Sequence, residues 1–197
     1  MTAALITPPA VEPVLLAEAK AHLRLDHSDD DLVVSALLVA ARSLIESRLG
    51  TLMIRQGWRF YLDRWPATGM VRLPLGPLVS VDRITVYGAS GMPAELAPAQ
   101  YRVDTAGDPP RIALAPGTVL APGTVLAPGV AINGIEIDVT VGFGLSGVDV
   151  PQPLRRAQLM LATRWFENPQ GTTIGIVPSA IADEVEVLIA PWRRVRL

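Results

Sequence analysis

The chain has 197 residues, half of them hydrophobic and 18% charged, with a formal net charge of -2. That length holds one domain, or one domain with a subdomain, and a near-neutral balance excludes a global pull toward nucleic acid. The absence of cysteine excludes disulfides, thiolate metal sites and a cysteine nucleophile.

Met1–Ala10 lacks a basic n-region and is broken by Pro8 and Pro9, so it does not read as a signal peptide. Pro13 suits a first helical turn. Leu16, Ala19 and Leu23 then recur at helical spacing and predict a short helix to about Leu25. Ser28 followed by Asp31 fits a capping box. Asp29, Asp30 and Asp31 sit where a helix dipole favours negative charge. The helix they open runs to Leu49, and Gly50 is its natural stop.

This second helix is apolar on two adjacent stripes. One is Val33, Leu37, Ala40 and Leu44; the other is Val34, Leu38, Ala41 and Ile45. Such a helix is either central in its own domain or shared with a neighbour. Leu32–Ala41 is the longest apolar stretch, far short of the roughly 20 residues needed to cross a bilayer.

Strand patterns follow. Trp58, Phe60 and Leu62 alternate with Arg59, Tyr61 and Asp63, the mark of a half-buried strand. Met70–Leu73, Val79–Tyr87, Tyr101–Val103 and Arg111–Leu114 are further strands. The cleanest is Ile135–Val141, introduced by the Asn133-Gly134 turn signal. APGTVL stands at 115–120 and again at 121–126, with APG at 127–129. Two and a half copies are too few for a solenoid, and each Pro-Gly favours a turn, so the repeat predicts an exposed excursion.

Pro151 and Pro153 open a third helix with Leu154, Ala157, Leu161 and Trp165 on one face. Asn168-Pro169 ends it. Residues 170–177 read as a loop. Pro178 begins a last helix carrying Ile181, Val185 and Leu188, ended by Pro191. The predicted fold is therefore α+β: a helical bundle of about four helices interrupted by a β-rich insert of short antiparallel strands. Residues 1–54 and 146–197 form the helical part, and 55–145 the insert. A chain this lean in charge has apolar surface to spare for a subunit interface.

Chemistry is sparse. His22 and His27 lie five apart across a helix break and do not share a face. The aspartates at 26 and 29–31 lack calcium-loop spacing and its glycine. Gly142–Gly147 is glycine-rich after a strand but lacks both the phosphate-gripping Lys-Ser/Thr and the dinucleotide fingerprint; it reads as a hinge from sheet to helix. No G-x-S-x-G is present. The sequence thus points to no enzyme and no cofactor. In the tail, Trp192, Arg193, Arg194 and Arg196 suit a phosphate backbone, an acidic partner anchored through Trp192, or a solvated terminus.

Six segments in order resemble one family. "LLAEAKAHLRLDHSDDDLVVSALLVAARSLIESRLG" is similar to the opening of phage head-tail connector (adaptor) proteins, including those of gene transfer agents, with Glu18, Ala19, Lys20, Leu23, Arg24, Asp30, Asp31, Ile45, Glu46 and Gly50 on the pattern. "IRQGWRFYLDRWP", "LPLGPLVSVDRITVY", "YRVDTAGDPPRIAL", "VTVGFG" with "VPQPLRRAQLMLATRWFENP", and "APWRRVRL" resemble its later blocks. The APGTVL repeat and the Pro-rich N-terminus depart from the family.

The resemblance implies a virion structural protein at the neck of a virus or virus-like particle, assembled in the host cytoplasm. It implies a dodecameric homo-oligomeric ring beneath the portal protein, a docking surface for tail or stopper proteins, and a lumen through which DNA passes without specific binding. Carried over, it puts Trp192, Arg193, Arg194 and Arg196 at the portal. The apolar stripes make Val33, Leu37, Leu44, Leu161 and Trp165 the expected subunit interface. The alternatives are a tail-completion or other neck protein, and a nucleic-acid-binding module using Arg155, Arg156, Arg164 and the tail.

Overall fold

A computed structural model describes residues 1–116, 127–169 and 183–193. Within them the chain is α+β, with four α-helices and two antiparallel sheets. It divides into two compact units. Among the described residues one takes Met1–Pro8 and Arg55–Gly142; the other takes Pro9–Ile54 and the described residues from Phe143. The APGTVL repeat and the 170–177 loop fall, wholly or nearly so, outside the described residues.

The first unit is all β. Its larger sheet has five strands in the order β1 (Thr2–Thr7), β2 (Gln56–Leu62), β8 (Ile135–Val141), β4 (Leu78–Tyr87), β5 (Pro93–Glu95). The smaller has three: β3 (Met70–Arg72), β7 (Arg111–Leu114), β6 (Tyr101–Asp104). The period-2 patterns fall where they were expected, since an antiparallel sheet with one covered face needs alternation. Phe60, Ile84, Val86, Ile112, Ile135, Ile137 and Val139 form its interior. Two strands have no such pattern. β1 is an edge strand exposed along nearly its whole length, held by backbone pairing to β2. It corrects the assignment of the N-terminus to the helical part: Met1–Pro8 belongs with the sheet. The three-residue β5 covers the opposite edge.

The polar face of this sheet is an ion-pair ladder set by register. Asp138 lies opposite Arg59 on β2 and Arg83 on β4. Arg59 donates to it from Nε at 2.6 Å and Nη2 at 2.9 Å, and Arg83 Nη2 at 2.9 Å. Arg59 also reaches Glu136 at 3.1 Å. The hydrogen bonds from Arg59 hold the Asp138 carboxyl below its usual value, against the opposing effect of partial burial. A depressed carboxylate stabilises the fold above its unfolded pKa of about 4, and that contribution is lost as pH falls through the lower folded value. The melting temperature is therefore expected to fall below about pH 4, and the fall should be shallower in Asp138→Asn. Parallel pH profiles of the two proteins would rule this out.

The second unit is helical. α1 (Leu16–Leu23) ends on Arg24 in the left-handed region, φ 58°. α2 spans Asp31–Leu49 and stops at Gly50, φ 68°, whose N–H donates to the Glu46 carbonyl at 2.9 Å. The Ser28 capping box does not form: Asp30 holds the cap position without a side-chain bond, and the Asp31 carboxylate is taken by Lys20, the lone lysine, at 2.6 Å. α3 (Gln152–Glu167) and α4 (Asp183–Ile189) complete the unit. The start expected for α4 at Pro178 lies outside the described residues. Val34, Leu38, Ala41, Ile45 and Leu49 of α2 pack with Leu154, Ala157 and Leu161 of α3 and Val185 and Ile189 of α4.

Candidate interaction surfaces

Of the two stripes on α2, only Val34–Leu38–Ala41–Ile45 is inside. The other faces outward: Val33 is 51% exposed, Leu37 and Leu44 are half-buried, and Leu32 beside them is 86% exposed. The expected interface residues thus separate. Val33, Leu37, Leu44 and Trp165 keep surface to offer, whereas Leu161 is 1% exposed. Leu161 belongs to the unit's own core, and a partner cannot reach it.

Val33 and Leu37 meet Trp165 and Phe166 of α3 around a cavity of about 700 Å³, which Asp30, Asn168 and Pro169 also line. The helices run antiparallel. Gln158 Nε2 donates to the Leu38 carbonyl at 3.1 Å, and the cavity lies a few residues toward the start of α2 and the end of α3. At the far end the chain enters α3 through the glycine-rich run. Ile54 bridges Gly144, and Phe143 N–H donates to the Met53 carbonyl at 3.2 Å. Ser146 and Asp149 close a turn, with Ser146 N–H at 3.0 Å and its hydroxyl at 2.9 Å from the Asp149 carboxylate. This turn exposes Leu145 and Val148. No phosphate cradle is formed here; the run is a close-packed junction.

The tail residues also separate. Trp192 is half-buried on the core of its own unit. Its ring meets Phe143 edge-on, centroids 5.7 Å apart, and its carbonyl accepts from the Thr51 hydroxyl at 3.1 Å. It is therefore not the free aromatic anchor expected from sequence. Arg193 is exposed and pairs with Glu186. Arg194 and Arg196 lie outside the described residues. Of the arginines weighed for nucleic acid, Arg155 is spent internally, on the Pro13 carbonyl at 3.1 Å and on Glu18 at 2.8 and 2.9 Å. Burial raises the Glu18 pKa, but the bonds from Arg155 and from the Leu15 N–H outweigh it and leave the carboxyl below its ordinary value.

Sequence reasoning missed one feature, a buried polar network. Arg42 Nε is shared between the two Glu12 oxygens at 3.0 and 2.9 Å. Its Nη1 reaches Glu46 at 2.8 Å, and Glu46 in turn accepts from Met53 N–H at 2.7 Å. Gln158, fully buried, donates to Glu12 at 3.1 Å. The signal was present: Arg42 and Glu46 are an i, i+4 pair inside the inner apolar stripe.

Among the described residues no group of three or more His, Asp or Glu is placed to hold a metal, and no helix is long and apolar enough to cross a membrane. What stands out among the described residues is exposed apolar surface on the helical unit, the class of feature that contact between proteins uses.

Comparison with known proteins narrows this class. Residues 14–102 match the family described as phage gp6-like head-tail connector protein. A chain in the neck of an empty gene transfer agent particle, computed with C6 symmetry, is similar at 29% identity and TM-score 0.80. One in the virion of a native gene transfer agent particle is similar at 28% and 0.81. One in the neck of a native particle, computed with C12 symmetry, is similar at 29% and 0.75. Each likeness covers 100% of this chain and 97% of the other. No curated protein sequence matches. Residues 14–102 thus resemble the phage gp6-like head-tail connector family, and the whole chain resembles the gene transfer agent neck chains.

Proposed function

We propose that this protein is a neck adaptor: copies of it form a dodecameric ring beneath the portal, join head to tail, and extend the channel through which DNA leaves. The observation that carries this reading is the full-length likeness to neck chains from particles solved with C6 and C12 symmetry. In this reading the helical bundle makes the ring and the β-rich insert enlarges it. The ring needs a head-to-tail interface that closes by rotation, and the outer stripe of α2 with Trp165 supplies part of it. Each contact is weak, so the isolated chain stays monomeric and the portal templates closure. The portal and a tail or stopper protein are the partners. Arg193, Arg194 and Arg196 dock on the portal, while Trp192 fixes where the tail leaves the helical core. DNA crosses the lumen unbound; no catalysis and no cofactor are involved.

The test mixes purified protein with portal and images the complex. An added ring below the portal is the expected result, and its absence would refute the adaptor role. A ring found only on tail tubes would assign the protein to tail completion. Deleting residues 193–197 should weaken portal binding at least tenfold, about 1.4 kcal/mol; undiminished binding would remove the tail from the contact.

A further inference from the structure

The helical unit carries two apolar features at opposite ends of its antiparallel α2–α3 pair. One is concave: the cavity lined by Val33, Leu37, Trp165 and Phe166. The other is convex: the turn that exposes Leu145 (69%) and Val148 (82%). The rise of α3 from Gln152 to Trp165, about 20 Å, separates them. We propose that the Leu145–Val148 turn of one copy seats in the Val33–Leu37–Trp165–Phe166 cavity of the next. The inference rests on the ring reading and gives that ring its contact.

Three observations select this occupant. First, a ring contact is head-to-tail, so one chain must hold two different complementary patches at separate places. A knob and a hole at opposite ends of one rigid helix pair meet that condition.

Second, the ends differ in charge. Exposed Asp29 and Glu167, with half-exposed Asp30, outnumber exposed Arg164 at the cavity end, whereas exposed Arg48 and Arg156 outnumber Asp149, itself tied to Ser146, at the turn end. Acidic end meets basic end, which sets orientation and discourages like-with-like pairing.

Third, the alternatives within the unit are poorer. Its large apolar side chains that are more than two-thirds exposed are Leu32, Leu145, Val148 and Val187, among the described residues. Leu32 neighbours Val33 and extends the receiving side. Val187 stands alone on α4. Only Leu145 and Val148 share one turn. A small-molecule ligand is disfavoured, because among the described residues Asp30 and Asn168 are the only polar aliphatic side chains in the lining, and specific pockets use several convergent polar groups. A cavity of about 700 Å³ has room for two aliphatic side chains.

The cysteine-free chain permits a direct test. Val33→Cys and Val148→Cys are placed together in the full chain, assembled with portal, and mildly oxidised. A disulfide needs Cα atoms about 4.4–6.8 Å apart, so the two thiols of one copy cannot meet and any bond joins neighbours. A ladder of covalent multimers is the expected result. Rings visible in the microscope with only a monomer band would overturn this contact while leaving the adaptor function standing. Absence of rings with the wild-type chain would overturn both.

The second variant is Asp30→Arg, which should slow cross-linking about tenfold; adding Arg156→Asp should restore it. Failure of the double reversal to restore it would also overturn the contact. All four sites are at least partly exposed, so folding is not at stake, and an unchanged thermal melt checks this.

Discussion

Arg42→Ala is expected to destabilise the helical unit by about 3–5 kcal/mol, the usual result of removing one partner from a buried ion pair. Arg42 and Glu46 are 7% and 5% exposed. Burial pulls the guanidinium pKa down, but its bonds to Glu12 and Glu46 more than offset this and leave it raised. Without it, the buried Glu46 carboxylate and the half-buried Glu12 lose their shared cation, while the bonds from Met53 N–H and Gln158 stay. The network joins four pieces of chain: the segment before α1 through Glu12, α2 itself, the segment after α2 through Met53, and α3 through Gln158. Its loss therefore loosens the whole unit.

Chemical denaturation of wild type and variant measures the difference. Adding Glu46→Gln to Arg42→Ala should recover part of it, because a neutral amide oxygen still accepts from Met53 N–H without a stranded charge. A cost below about 1 kcal/mol, typical of exposed pairs, would mean that the network is solvated. Arg42→Lys is expected to fall between, since an ammonium cannot serve both carboxylates with the planar fork that Arg42 uses.

This network also shows where reading the sequence stops. α2, α3 and β8 were legible because each buries one face and so writes its period into the chain. The pattern on α2 was doubled, however, and periodicity alone cannot say which stripe is inside. The answer lies in Arg42 and Glu46, which sit one helical turn apart among Leu38, Ala41, Ile45 and Leu49. A charged pair on an apolar stripe looks like a reason to call that face solvent; here it is the reverse, because Glu12 and Gln158 arrive from elsewhere in sequence to satisfy it. β1 was illegible for the opposite reason. An edge strand with both faces largely open has no alternation to show. Leu161 and Trp165 share a helical face yet part company in space: the first meets the core, the second the outer cavity.

Gly147→Ala is expected to cost about 3 kcal/mol, the upper end of overpacking in a tight site. A Cβ at position 147 would lie 2.2 Å from the Pro13 carbonyl oxygen. That neighbour is backbone, and it is already engaged as the acceptor for Arg155 Nε. Moving it would also strain the Arg155–Glu18 pair, so a methyl group disturbs the junction of the N-terminal segment with α3. Close approach of chain to chain thus accounts for the glycine at position 147. Val148→Ala provides the contrast. That side chain is 82% exposed, and its truncation should change stability by less than about 0.5 kcal/mol while weakening ring assembly on portal. Thermal melts and assembly assays on the two variants separate the roles. Gly147→Ala should fail in both, Val148→Ala in assembly alone. A Gly147→Ala protein that melts with wild type would mean that the turn does not press on Pro13. Position 148 would then be presented by a looser loop than a rigid knob requires.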